Sequence, residues 1–281
     1  MPAVTLIEVG PRDGLQNESQ LVPTDAKVAF IDRLSLTGVT EIEVSAFVSA
    51  ERIPQLRDAE KVFERIRRHP GVRYTALVPN MRGLERAQPS QCDGIAVFTA
   101  ASEAFARANI NATIAESIER FRPVLASTTV PVRGYISTAF HCPFSGRVEP
   151  PAVLSIALKL LELGCAEVSI GDTIGRASPD EVQRLLDLLL PRIPSSRIAM
   201  HFHDTGGNAI ANARTAAAAG VTRFDGSATG LGGCPFAPGA PGNVATEALA
   251  AAFPGLTGVD GDAVRAAAEP LRPYLVRSVA G

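Results

Sequence analysis

The chain has 281 residues, 46% of them hydrophobic, and a formal net charge of −2. Near-neutrality leaves no global field for nucleic acid or an anionic membrane. Aromatic residues at 5%, with no tryptophan, argue against a platform for stacking bases.

The chain opens on MPAVTLIEVGPRDG, with no basic region ahead of a long apolar stretch, so this segment reads as entry into a strand rather than as a signal peptide. No apolar run reaches the roughly 18 residues needed to span a bilayer. Cys92, Cys142, Cys165 and Cys234 are widely scattered, which suits free thiols in a reducing compartment better than a disulfide framework. A soluble, cytoplasmic protein is expected.

In chain order, strands are predicted at 5–9, 41–45, 73–78, 94–98, 132–137, 167–171, 197–203 and 223–227. Most are rich in Val, Ile and Ala and nearly continuous in apolar character, as strands of a covered parallel sheet should be. The segments between them carry helical period. Val153, Ile156, Ala157, Leu160 and Leu161 share one face, as do Val182, Leu185, Leu186 and Leu189. Ser178-Pro179-Asp180-Glu181 offers an N-cap, a proline at the first helical position and the glutamate of a capping box. Gly38, Gly164 and Gly220 each follow a helix and precede a strand, the place of a C-terminal glycine. Eight β/α units predict a (β/α)₈ TIM barrel filling residues 1–281 as one domain, with a short C-terminal helical extension after about Asp260. The alternative, a doubly wound open sheet, lacks an early GxGxxG loop.

In a barrel of this kind the active site lies at the C-terminal ends of the strands. Strand one ends in GPRDGLQN, bringing the cation of Arg12 and the hard oxygen of Asp13, although an Asp-Gly turn with a surface ion pair is the plain alternative. Strand seven ends in His201-Phe202-His203-Asp204. Side chains at i and i+2 of a strand share a side, so two imidazoles can converge on one metal ion. A histidine and carboxylate set suits Mg²⁺, Mn²⁺ or Zn²⁺. Strand eight leads into a glycine-rich loop holding Cys234, either a lid or a mobile loop with an incidental thiol, and then to Asn243. Glu8, Glu43, Tyr135, Asp172 and Thr173 also fall at strand ends, fit either to orient ligands or to bond within the core. His69 reads as a solvated helix end, and Cys92 and Cys165 as structural thiols.

The stretches EVGPRDGLQNE, SAFVS, RGYIS, GDTIG, HFHDT and GLGGCPFAPGAPGN resemble the 3-hydroxy-3-methylglutaryl-CoA lyase family over nearly the whole chain. The resemblance implies retro-Claisen cleavage of 3-hydroxy-3-methylglutaryl-CoA to acetyl-CoA and acetoacetate, with a divalent cation (Mg²⁺ or Mn²⁺ ahead of Zn²⁺), an acyl-CoA thioester as substrate, and a homodimer. It implies Arg12 and Cys234 as catalytic residues and Asp13, His201, His203 and Asn243 as metal ligands. His201 is also expected to assist proton transfer, with Glu43 and Asp172 supporting catalysis. Gln16, Tyr135, Glu8 and Glu247 match further active-site positions, the first three read, with Arg12, as substrate contacts. The chain departs from the family in three places: Gly206 stands where many relatives have Tyr, Ala46 where several have Ser, and no cysteine follows Cys234. The first two departures keep open a longer 3-hydroxy-3-alkylglutaryl-CoA as substrate. The other rivals are a condensing synthase, for which the chain is short, and a catalytically silent metal-binding barrel.

Overall fold

The computed structural model describes residues 2–232 and 242–275. Each predicted run forms a strand: β1 (Thr5–Glu8), β2 (Glu41–Ala46), β3 (Arg73–Leu77), β4 (Gly94–Ala100), β5 (Val132–Ser137), β6 (Glu167–Asp172), β7 (Ile198–Phe202) and β8 (Arg223–Gly226). They pair in parallel in sequence order and β8 returns to β1, closing the barrel. A small antiparallel hairpin, His141–Cys142 with Gly146–Arg147, follows β5. β7 is shorter than predicted at both ends. Arg197 belongs to a 3₁₀ turn, and His203 leaves the sheet to bridge Asn243 instead.

Around the barrel lie α1 (Thr24–Leu34), α2 (Ala59–Arg65), α3 (Met81–Ala87), α4 (Glu103–Ile110), α5 (Ile114–Ser127), α6 (Pro150–Leu163), α7 (Pro179–Leu189), α8 (Ala209–Ala218), α9 (Thr246–Ala252) and α10 (Gly261–Ala267). α10 and a 3₁₀ turn at Glu269–Tyr274 make the C-terminal extension and pack against α1. Apart from Leu161, which is half-buried, the predicted stripes are the buried ones: Val153, Ile156, Ala157 and Leu160 on α6, and Val182, Leu185, Leu186 and Leu189 on α7. Ser178 and Glu181 close a reciprocal capping box. Gly164 takes φ +115° after α6, a conformation that a Cβ would disfavour.

The apolar core lies between the outer strand faces and the helices. The barrel interior is different. Strand residues alternate in direction, and the inward ones on five strands are charged or polar. At the N-terminal floor Glu41 meets Arg223 (2.9 Å) and Arg73 (3.3 Å), while Glu167 meets Arg223 (2.6 Å) and Arg133 (2.9 Å). Arg133 reaches upward to Asp225 (2.8 Å) and to the Tyr135 hydroxyl (3.1 Å). A column of ion pairs thus runs from the floor toward the mouth. Removing one member of such a buried pair typically costs about 3–5 kcal/mol, because its partner is left uncompensated.

Candidate active site

After β1 the chain makes one π-helical turn, Gly10–Gly14, with N–H groups of Gly14 and Leu15 reaching back five residues to the carbonyls of Val9 and Gly10. Single π turns recur at functional sites. This one presents consecutive residues, Arg12 and Asp13, at the mouth. A Cβ on Gly10 would stand 2.5 Å from a Glu8 carboxylate oxygen, so a larger residue there would displace that carboxylate.

Arg12 is buried. Its Nε donates to Glu43 Oε2 (2.7 Å), its Nη1 to Asp13, and its guanidinium lies 5.2 Å from the centre of the Tyr135 ring. Tyr135 in turn donates its hydroxyl to Glu43 (3.1 Å). Burial disfavours the Arg12 charge, but Glu43 and Asp13 outweigh it and hold the guanidinium protonated. Burial likewise opposes ionisation of Asp13, and the charges of Arg12 and the two histidines reverse that, holding its carboxyl well below the usual range. Glu43 goes the other way: burial raises it, and Arg12 offsets that only in part.

His201 and His203 stand with ring centroids 5.3 Å apart, both buried at the C-terminal end of β7. Asp13, His201 and His203 can each offer a ligand atom with all three atoms within 4.8 Å of one another. Burial, then the neighbouring His201, pushes His203 down to about 4, so its ring is neutral and able to ligate at neutral pH. His203 Nδ1 is buried with no hydrogen-bond partner among the described residues. A buried ring nitrogen with no donor or acceptor opposite it suits coordination of a cation. The donor set therefore fits a divalent ion. Asn243 joins through its amide nitrogen, which donates to Asp13 Oδ2 (2.8 Å) and to the Leu231 carbonyl (3.0 Å). For Asn243 to ligate through Oδ1, the amide must turn over.

The remaining expected residues divide. Gln16 donates to Asp13 Oδ1 (2.8 Å) and, like Tyr135, lines the cavity. Glu8 does not line it. It is fully buried behind the mouth, accepting from Gly10 N (2.8 Å), Ala228 N (2.9 Å) and Thr246 Oγ1 (2.7 Å). Asp172 is similarly engaged with backbone N–H groups of Arg176 (3.1 Å) and Ala177 (2.9 Å), and so fixes the loop after β6. Glu247 accepts from Thr229 N (3.1 Å) on the loop after β8. Cys234 lies outside the described residues. Gly206 is off the cavity wall: a Cβ there would stand 2.8 Å from the Gly175 carbonyl oxygen, so this departure alters a loop–loop contact. Ala46 is buried in a small cluster with Leu56, Leu77, Ala96 and Tyr135.

The mouth opens into a cavity of about 700 Å³, within the range of small-molecule sites. Arg12, Asp13, His201 and His203 form one wall. Ile53, Phe98, Phe105 and Phe121 also line the cavity, together with the exposed Arg52 and Arg120.

Sequence reasoning missed Arg133, Ser169 and Asp225, which sit below the histidines inside the barrel. A signal was present. Polar residues two apart in an otherwise apolar strand, such as Arg133 with Tyr135 or Arg223 with Asp225, mark an inward face.

The HMGL-like family model matches residues 3–267. A hydroxymethylglutaryl-CoA lyase of Pseudomonas mevalonii is 53% identical over 249 residues, 88% of this chain and 83% of that protein. The crystal structure of an HMG-CoA lyase from Brucella melitensis superposes with a TM-score of 0.95 at 48% identity, covering 99% of this chain and 100% of that one. An HMG-CoA lyase of Acinetobacter baumannii, solved with coenzyme A and 3-methylmalate, is 37% identical with a TM-score of 0.90, covering 97% and 91% of the two chains.

Proposed function

The chain belongs to the HMGL-like family, and from that premise we propose that it cleaves 3-hydroxy-3-methylglutaryl-CoA to acetyl-CoA and acetoacetate. The observation that carries this reading is the convergence of one carboxylate and two imidazoles beside a buried arginine, at the C-terminal mouth of the barrel.

In this proposal Asp13, His201, His203 and Asn243 hold one divalent cation, with Mg²⁺ or Mn²⁺ preferred. A divalent ion held there would supply Lewis-acid chemistry, acidifying the substrate's tertiary hydroxyl. Arg12 faces the thioester oxygen, where negative charge develops as the acetyl-CoA enolate departs. Glu43 and Tyr135 hold its guanidinium in place, so little reorganisation is needed during reaction. The hydroxyl proton goes to a base beside the cation, assisted by Asp13 or His201; Asp13 is the one carboxylate on the cavity wall among the described residues. His201 contributes chiefly as a ligand. Asp172 acts by holding its loop. Cys234 is assigned the return of a proton to the enolate carbon. The aromatic wall of Phe98, Phe105 and Phe121 favours a second, wider reading in which longer C3 substituents are also accepted.

The purified chain is to be assayed for acetyl-CoA and acetoacetate over a panel of 3-hydroxy-3-alkylglutaryl-CoA thioesters, with metal and after chelation. Release that is lost on chelation and restored by Mg²⁺ or Mn²⁺ is expected. No release with any divalent metal would overturn the proposal. Arg12→Gln should lower kcat by on the order of 10²–10³ while Mn²⁺ still binds. Among the described residues no helix is long and apolar enough to cross a membrane. Cytoplasmic residence and a homodimer complete the proposal, and cell fractionation and sedimentation velocity measure them.

A further inference from the structure

The two histidines of the cluster are held differently. His201 Nδ1 lies 3.2 Å from Asp225 Oδ2, and its Nε2 faces Asp13 Oδ2 at 4.0 Å. His203 Nδ1 has no hydrogen-bond partner among the described residues. Asp225 is buried and tied on three sides: Arg133 Nη1 donates to Oδ1 (2.8 Å), while Ser169 Oγ and His201 Nδ1 share Oδ2, the hydroxyl at 3.0 Å. Asp225 and His201 are register partners on adjacent strands, so the backbone sets their separation.

We infer that Asp225 is a positioning residue for the metal centre: it holds the proton of His201 on Nδ1 and so presents the bare Nε2 to the cation. A neutral imidazole carries one ring proton, and the nitrogen within hydrogen-bond distance of a carboxylate keeps it: Nδ1 at 3.2 Å from Asp225, rather than Nε2 at 4.0 Å from Asp13. Arg133 and Ser169 keep the carboxylate from turning away. His201 is thereby preorganised, whereas the ion itself completes the environment of His203. The inference rests on the metal reading proposed above.

Asp225→Asn tests it. The amide keeps size and an oxygen for Arg133, but it turns an N–H toward His201 Nδ1. That drives the ring proton to Nε2, where it blocks ligation. Removing such a partner typically weakens metal binding by about 10- to 100-fold. The readout is Mn²⁺ titration of the metal-free full chain, followed by the electron paramagnetic resonance of free Mn²⁺, with circular dichroism reporting the fold. A folded Asp225→Asn chain that binds Mn²⁺ as tightly as wild type would overturn the inference, provided His203→Ala weakens binding. If wild type and His203→Ala bind Mn²⁺ equally, the metal reading itself fails. A second measurement needs no variant at Asp225: two-bond ¹⁵N–¹H correlations of labelled histidines in the Mg²⁺-saturated wild type, with His201 assigned by His201→Gln. A proton on His201 Nδ1 is expected, and its absence would overturn the inference.

Discussion

Glu8 stands where the end of β1, the turn after β8 and the start of α9 meet, and its carboxylate bonds to all three. Burial raises it from 4.5 to about 7, against the hydrogen bonds from Thr246, Ala228 and Gly10. The unfolded chain releases this proton near the ordinary value, while the folded chain keeps it until about pH 7. Glu8 therefore destabilises the fold progressively as pH rises between those values, by about 3 kcal/mol once both are passed. Glu8→Gln lacks this term. The Tm of the variant relative to wild type should climb between pH 5 and pH 8, as calorimetry across that range would show; a difference constant with pH would refute the assignment. Residue roles of this sort were only partly legible. The sequence marked Glu8, Asp172, Arg12 and Asp13 alike as polar residues at strand ends. The direction in which each side chain turns depends on donors far along the chain, such as Thr246 for Glu8, and no local pattern carries that.

At the scale of elements the strands were readable because a sheet covered by helices demands apolar runs. The π turn was not, since GPRDG has the composition of an ordinary turn. The loops after β6 and β7 depend on each other in a way that local composition also hides. Gly175 holds φ +64°, and a Cβ on it would stand 2.8 Å from Thr205 Cβ and 2.9 Å from the His203 carbonyl oxygen. Gly175→Ala imposes both a disfavoured conformation and a clash against the segment carrying a proposed ligand. A loss of about 2 kcal/mol or more is expected, together with weaker Mn²⁺ binding. Thermal denaturation and Mn²⁺ titration measure the two effects, and wild-type values in both would show that the loops part freely.

The whole molecule should register the cation as well. A ligand that binds only the folded state at about 100 times its Kd adds about 2.7 kcal/mol. In a chain of this size that raises Tm by roughly 5–10 °C. Saturating Mn²⁺ is expected to shift wild type by that amount over a chelated sample and to leave His203→Ala unmoved. An unshifted wild type would argue against a resident ion.

Barrels of this class are commonly divided into a mouth that evolves chemistry and a floor that carries stability. The charged column from Glu41 and Glu167 through Arg133 to Asp225 and His201 crosses that division. A mutational library confined to the floor is then not a neutral search for robustness. It also samples the electrostatics of the reaction centre, and a swap at Arg133 or Glu167 belongs among changes to function as much as among changes to scaffold.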